Sequence, residues 1–231
     1  MDKKHHGAFV HLTEPGLSRA QLLAHFRHEF QVYVRDFPVL LARVLGQGPP
    51  DDVRITLAEN VYEEQTGKLS FGRPHPELFL EMMDGLGIDR EAVTSGFAQL
   101  EPEAHAYRRF LDLVSAKHPW QVGAAVLTIF VEGSVHERAE LEGRRELPPI
   151  EDHVKNHPMV KHYGCPPERM MLVRAHRAVE GSHRSDAWRS MLAHVQTEEL
   201  AEEVVGAVRE ARERWLTYRD GVARAMGVPI R

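Results

Sequence analysis

Three side chains able to hold a metal share one helical face in the stretch HRAVEGSH: His176, Glu180 and His183, at i, i+4 and i+7. At about 100° per residue, that spacing keeps all three within an arc of roughly 60°. Two imidazoles flanking a carboxylate in this way can reach one metal ion or a pair. An apolar helix face would carry Leu or Ile here, so coordination is weighed ahead of packing.

Further donors lie elsewhere in the chain. Glu132, in IFVEGS, follows the most apolar run of the sequence. A carboxylate buried alone costs several kcal/mol, so it should be paired, protonated or metal-bound. The competing reading is that Glu132 opens a solvated half-helix with Glu137, Glu140 and Glu142. Gly133 would admit close approach of another segment, and His136, one turn on, reads as a donor behind a ligand. In ENVYEEQTG, Glu63 shares a side with Glu59, whereas Glu64 points about 100° further round. Spacing does not choose between Glu63 and Glu64, and a solvated acidic face is the ordinary fate of each. His75, in RPHPELF, follows a loop that could fold back over the preceding helix end; alone it reads as a cap or an orienting group. Asp186, one turn after His183, could orient that ring's second nitrogen. Arg35 and Arg184 are candidate anchors for a substrate carboxylate, and Arg174 reads as surface.

Three histidines and three acids from separate helices form a mixed nitrogen and oxygen set. Such a set suits Fe(II), or Mn(II), better than structural zinc, which favours thiolates. Six ligands are too many for one catalytic metal with an open position, but they suit two metals sharing a carboxylate, as in ferritin-like bundles. The Glu-x-x-His pairs of that class are missing. Two ferrous ions can pass two electrons to O2, chemistry that side chains alone do not provide.

The elements that must position these groups are helical. Apolar residues recur at helical spacing nearly throughout, and hairpin alternation is absent. Ser18 is expected to cap a helix that Pro38 kinks or divides. Further helices are expected at 51–67, closed by Gly67, and at 75–83. A short one should start at Asp89 and another at Glu101-Pro102. A single helix is expected over 120–143, its first half in the middle of the bundle. A Pro-rich connection leads to the helix bearing HRAVEGSH, and Thr197 should cap a long last helix. The expectation is an all-α bundle of seven or eight helices, with residues 1–231 as one domain.

Composition excludes several classes of function. A net charge of −5 over 231 residues argues against a nucleic-acid partner. No 18-residue apolar run exists, and MDKKHHGAF lacks the apolar segment of a signal peptide, so cytoplasmic residence without membrane association is expected. The single cysteine, Cys165, supplies neither a disulfide nor a Cys-x-x-Cys pair and reads as a small buried group. Nucleotide-binding glycine loops and Gly-x-Ser-x-Gly are absent. Of 15 histidines, His5, His6, His153, His157 and His194 read as surface. Tyr62 and Phe130 are candidate pocket walls, each within two residues of a candidate ligand. Phe9, Tyr33, Phe37 and Tyr163 read as core.

In combination, HGAF with GLSRAQLLAHF, VYVRDFPVLLARV, NVYEEQTG, HPELF, the apolar helix with Glu132, and HRAVEGSH resemble the haem-oxygenase-like diiron oxidases and oxygenases. These belong to the wider superfamily of thiaminase II and pyrroloquinoline-quinone synthase. The resemblance runs from about His6 to the last helix and implies the haem-oxygenase-like fold. It also implies a ligand set of Glu64, His75, Glu132, His176, Glu180 and His183, and so selects Glu64 over Glu63. With that set come two Fe(II) per chain, O2 as co-substrate and catalytic roles for Glu64, Glu132 and Glu180, with Glu132 or another carboxylate shifting between bridging and terminal modes. Partners implied are a small-molecule substrate such as an amino acid or a fatty acid, an external reductant and a second copy in a homodimer. The alternative is a metal-free oxidase like pyrroloquinoline-quinone synthase, or a small-molecule binding protein. Two departures stand out. The loop from Gly67 to His75 is longer than in the p-aminobenzoate-forming member. Phe9 also stands where that member consumes its own tyrosine, with an acid near Glu142 in place of its functional lysine, so no self-sacrificing reaction is expected.

Overall fold

The computed structural model describes residues 4–133 and 137–230, and the side chains of residues 137, 141 and 180–184 fall outside that description. Thirteen α-helical segments and no strand occur among the described residues. The first two, α1 (Val10–Thr13) and α2 (Arg19–Glu29), lead through a π-helical turn at Phe30–Val34 into α3 (Phe37–Leu45). Ser18 caps α2: its hydroxyl accepts the Gln21 N–H at 3.3 Å, and the Gln21 side chain accepts the Ser18 N–H at 2.9 Å. Pro38 sits in the first turn of α3, where a missing N–H leaves no bond unmade, so it starts a helix.

Next come α4 (Asp51–Thr66), α5 (His75–Gly85), α6 (Arg90–Thr94) and α7 (Pro102–Ala116). Asp51 and Asp52 complement the positive end of α4. After α8 (Trp120–Ala124), a second π-helical stretch covers Ala125–Val131. The remainder is α9 (Glu137–Leu141), α10 (Ile150–Asn156), α11 (Pro158–Lys161), α12 (Met171–His194) and α13 (Glu198–Met226), the last capped by Thr197. The segments outnumber the seven or eight expected because two long apolar periods are interrupted and the Pro-rich connection itself contains short helices.

The helix expected over 120–143 stops at Val131. Its π turn closes with the Glu132 N–H on the Leu127 carbonyl at 3.1 Å. The Lys4 ammonium then donates to the carbonyls of Phe130 (2.6 Å), Val131 (2.9 Å) and Gly133 (3.2 Å), acceptors that the broken helix leaves without partners. Glu132 therefore stands at a helix end and not within a continuing one. His136 lies outside the described residues.

α13 packs on α2 and α7, α3 packs on α4, and α12 lies against α4, α5 and the second π stretch. Side chains that face inward fall into two clusters. One joins α3, α7, α8 and α13 around Leu40, Leu41, Leu111 and Tyr218, and the other joins α2, α5 and α12 around Phe26, Leu78, Met83 and Met170. Fully burying an aliphatic side chain stabilises by about 1.5–3 kcal/mol. Cys165 is buried in the second cluster, where burial pushes its thiol up to about 11, so it is a packing group.

Burial also pushes His25, on α2, down to about 4 against an ordinary 6.5; Glu29 opposes the shift and Arg219 adds to it. Between those two values the unfolded chain binds the additional proton. The stability due to neutral His25 is therefore complete above pH 6.5 and declines as pH falls towards 4, by about 2 kcal/mol at pH 5. Urea unfolding at pH 7 and pH 5 should show His25→Gln losing less stability than the parent over that interval. An unchanged difference would contradict a neutral His25.

Candidate metal centre

The site starts from the turn that ends α4. Gly67 adopts φ 63°, and a Cβ there would lie 2.0 Å from the Arg73 carbonyl oxygen, so only glycine admits this approach. The chain folds back over the helix end, with the N–H groups of Ser70 (3.0 Å) and Gly72 (2.6 Å) donating to the Gly67 carbonyl. This brings the first residue of α5, His75, beside the last turn of α4.

His75 lies between two carboxylates, its Nδ1 2.8 Å from Glu64 Oε1 and its Nε2 3.2 Å from Glu63 Oε1. Glu63 is fully buried and also accepts from the Leu69 N–H at 2.7 Å and from the Ser70 hydroxyl. Burial would raise the Glu63 carboxyl, but the bonds from Ser70, Leu69 and His75 outweigh it and hold the group below its ordinary range. For His75, burial would lower the imidazole, but Glu64 and Glu63 outweigh it and raise it above 6.5. From α12, His176 brings its ring centroid to 5.0 Å from that of His75. Glu64, His75 and His176 each offer a ligand atom, and these atoms all lie within 4.8 Å of one another.

The three face a cavity of about 330 Å³ that Glu132 also lines, with Tyr33, Phe37 and Phe79 among its walls. Phe37 belongs to one hydrophobic cluster and Phe79 to the other, so the cavity opens at the seam between them. Both π stretches supply lining residues, Tyr33 and Val34 from the first and Val131 from the second. An extra residue in a helical turn re-aims side chains that regular winding would carry past the cavity. Glu132 stands outside the close trio, and Asn60 Nδ2 donates to both its oxygens, at 3.1 and 3.3 Å.

Residues 24–216 match a family model described as an iron-containing redox enzyme. The chain belongs to that family. A crystal structure of a TenA homolog from Pseudomonas syringae pv. tomato str. DC3000 shares the fold, with a TM-score of 0.70 at 15% identity, covering 96% of this chain and 87% of that one. No curated protein matches the chain significantly. Family and fold together support the haem-oxygenase-like superfamily that the motifs resemble, an enzyme superfamily.

The donors suit the iron of that family. They mix imidazole nitrogen with carboxylate oxygen, they converge from α4, α5 and α12, and their cavity has apolar walls. A cation placed among them would displace the proton that His75 holds between its two acids. Glu63 would then remain behind His75, bonded to its other nitrogen and fixing the ring's orientation.

Of the six residues implied by the resemblance, the structure draws Glu64, His75 and His176 together and places Glu132 on the same cavity. The side chains of Glu180 and His183 lie outside the described residues, as does that of Arg184. Of the acids on α4, Glu59 is exposed, whereas Glu63 and Glu64 are both buried, so no solvated acidic face forms there. Tyr62 is 44% exposed and does not line the cavity, and Phe130 is core against Trp215. Phe37, read as core, is core, and with Tyr33, which packs against the same cluster, it also lines the cavity. Arg35 pairs with Asp36 and Gln31 and is no substrate anchor. Asp186 accepts from Arg189 at 2.6 Å. Arg174 is clamped to Glu151, and His6 is buried against Asp220. Sequence reasoning missed the supporting roles of Glu63 and Asn60. A signal was present in NVYEE, where Asn60 and Glu64 are one turn apart on α4, Glu64 lining the cavity and Asn60 bonded to its Glu132.

Proposed function

We propose that this chain is an O2-dependent non-haem iron oxidase or oxygenase that holds two Fe(II) ions and acts on a small organic substrate. The observation that carries the reading is the convergence of Glu64, His75 and His176 on one cavity in a chain of an iron-containing redox family. Glu132 faces the same cavity and supplies a further carboxylate. The two irons would supply the electrons that reduce O2. The protein's own part is to hold and orient. Glu63 fixes the His75 ring, Asn60 holds Glu132 through both oxygens, and Tyr33, Phe37 and Phe79 keep bulk water from the donors. The same closed Glu63–His75–Glu64 bridge suits a metal-free polar pocket, the competing reading.

Anaerobic Fe(II) titration with metal analysis separates the two. Saturation near two irons per chain, followed by O2 consumption, is expected. Absence of tight Fe(II) uptake at pH 7.5 would sink the iron reading and leave the metal-free one.

A further inference from the structure

A second cavity, of about 310 Å³, lies behind the wall that Glu29, Tyr33 and Val131 share with the first. Phe9, Tyr107 and Trp215 give it aromatic sides. Its charged lining comprises two cations, Lys4 and Arg219, and one carboxylate, Glu29. Arg219 is only 5% exposed. Its Nη1 pairs with Glu29, its Nη2 donates to the Tyr33 hydroxyl at 3.2 Å, and that hydroxyl donates to Glu29. The guanidinium lies over Phe9 and Trp215, 4.9 and 5.0 Å from their centroids. Its Nε is buried with no hydrogen-bond partner. A buried guanidinium N–H left unpaired is costly, and such a group is expected to meet an acceptor.

Glu29 is already engaged by Arg219 and Tyr33, and Lys4 by the carbonyls of Phe130, Val131 and Gly133, so the Arg219 Nε–H is a donor that neither group satisfies. His25, which lines the chamber with Tyr33 and Tyr107, is pushed down to about 4 by burial and adds no charge at neutral pH. The acceptor that suits this N–H is a carboxylate, which bonds a guanidinium most strongly, on an apolar, flat body that matches the aromatic walls. The volume is at the lower end of small-molecule sites, roughly 300–1,000 Å³, and suits a one-ring molecule better than a long fatty chain.

We propose that this chamber binds a small aromatic monocarboxylate, its carboxylate on Arg219 and its ring against Phe9, Tyr107 and Trp215. That the acid is also the substrate rests on the oxidase reading, with Tyr33 the side chain between it and the metal-facing cavity. The binding itself requires no metal.

The test titrates the metal-free full chain with benzoate, phenylacetate and 3-phenylpropionate, and with their primary amides, using calorimetry and tryptophan fluorescence, to which Trp215 in the chamber wall contributes with Trp120 and Trp188. The acids should bind at least about tenfold more tightly than the amides, the worth of one charge-assisted hydrogen bond. Arg219→Gln should lose about tenfold on the acids, leave the amides unchanged and keep Fe(II) uptake. If that variant does not fold, the acid and amide comparison in the parent chain decides alone. Acids that bind no better than amides, or not at all, overturn the proposal. Failed acid binding with normal Fe(II) uptake removes the chamber alone, and failed Fe(II) uptake with normal acid binding removes only the acid's role as substrate.

Discussion

Alanine in place of His176 removes tight Fe(II) binding from a chain that still folds. The ring is partly exposed in the cavity, and α12 is held by its neighbours Leu172, Ala175 and Val179, all buried. Deleting the imidazole takes one nitrogen from the trio and the ring contact with His75. Fe(II) affinity should fall about 100-fold or more, beyond the 10–100-fold typical of losing a partner behind a ligand. The metal-free variant should still unfold cooperatively, with a loss of about 1 kcal/mol, the ordinary cost of a partly exposed substitution. His75→Ala should behave differently. It takes a partner from Glu63 and from Glu64, both buried, and should lower stability by about 2 kcal/mol in addition to abolishing the metal. Tight Fe(II) binding by both variants would dismiss the trio as a metal centre.

Gly67→Ala should damage stability and metal binding together. A left-handed conformation costs a side-chain-bearing residue about 1–2 kcal/mol. Here the added Cβ also meets the backbone of Arg73 at 2.0 Å, which no rotamer change relieves. The loop must reopen, drawing Leu69 and Ser70 away from Glu63 and shifting His75 at the start of α5. A loss of about 3 kcal/mol or more is expected, with weaker Fe(II) uptake. Gly72 is the control: its φ is also positive, at 73°, but nothing lies within 4 Å of its missing Cβ. Gly72→Ala should show only the conformational cost. Equal melting points for the two variants would mean that the loop does not close against Gly67 as described.

Some of this could be read directly from residues. Ser18 with Gln21, Gly67, Asp89 and Thr197 mark helix ends through capping chemistry that acts within a few residues, and the structure has ends at each. The helical face of His176, Glu180 and His183 is equally local, because it follows from the winding of one helix. The break after Val131 was not legible. It depends on Lys4, distant in sequence, reaching carbonyls that a continuing helix would have used itself. Hydrophobic periodicity in fact favoured continuation.

The Glu63 and Glu64 pair shows the same division. Adjacent carboxylates on one helix differ only in direction until something packs against them. Once the loop after Gly67 returns and α5 begins at His75, Glu64 faces the cavity and Glu63 is enclosed by Leu69, Ser70 and His75. The second chamber was wholly hidden, since Lys4, Glu29 and Arg219 are far apart along the chain and meet only where α2 and α13 pack.

By itself, then, the sequence determined the helical class, the helix ends and a supply of imidazole and carboxylate donors suited to iron. These depend on contacts within a turn or two of the chain. Tertiary structure alone decided that Glu64 faces the cavity while Glu63 is enclosed behind His75, and where the apolar helix stops. It also decided that an arginine-bearing chamber adjoins the donors, because each of these outcomes is set by contacts between segments that the chain order keeps apart.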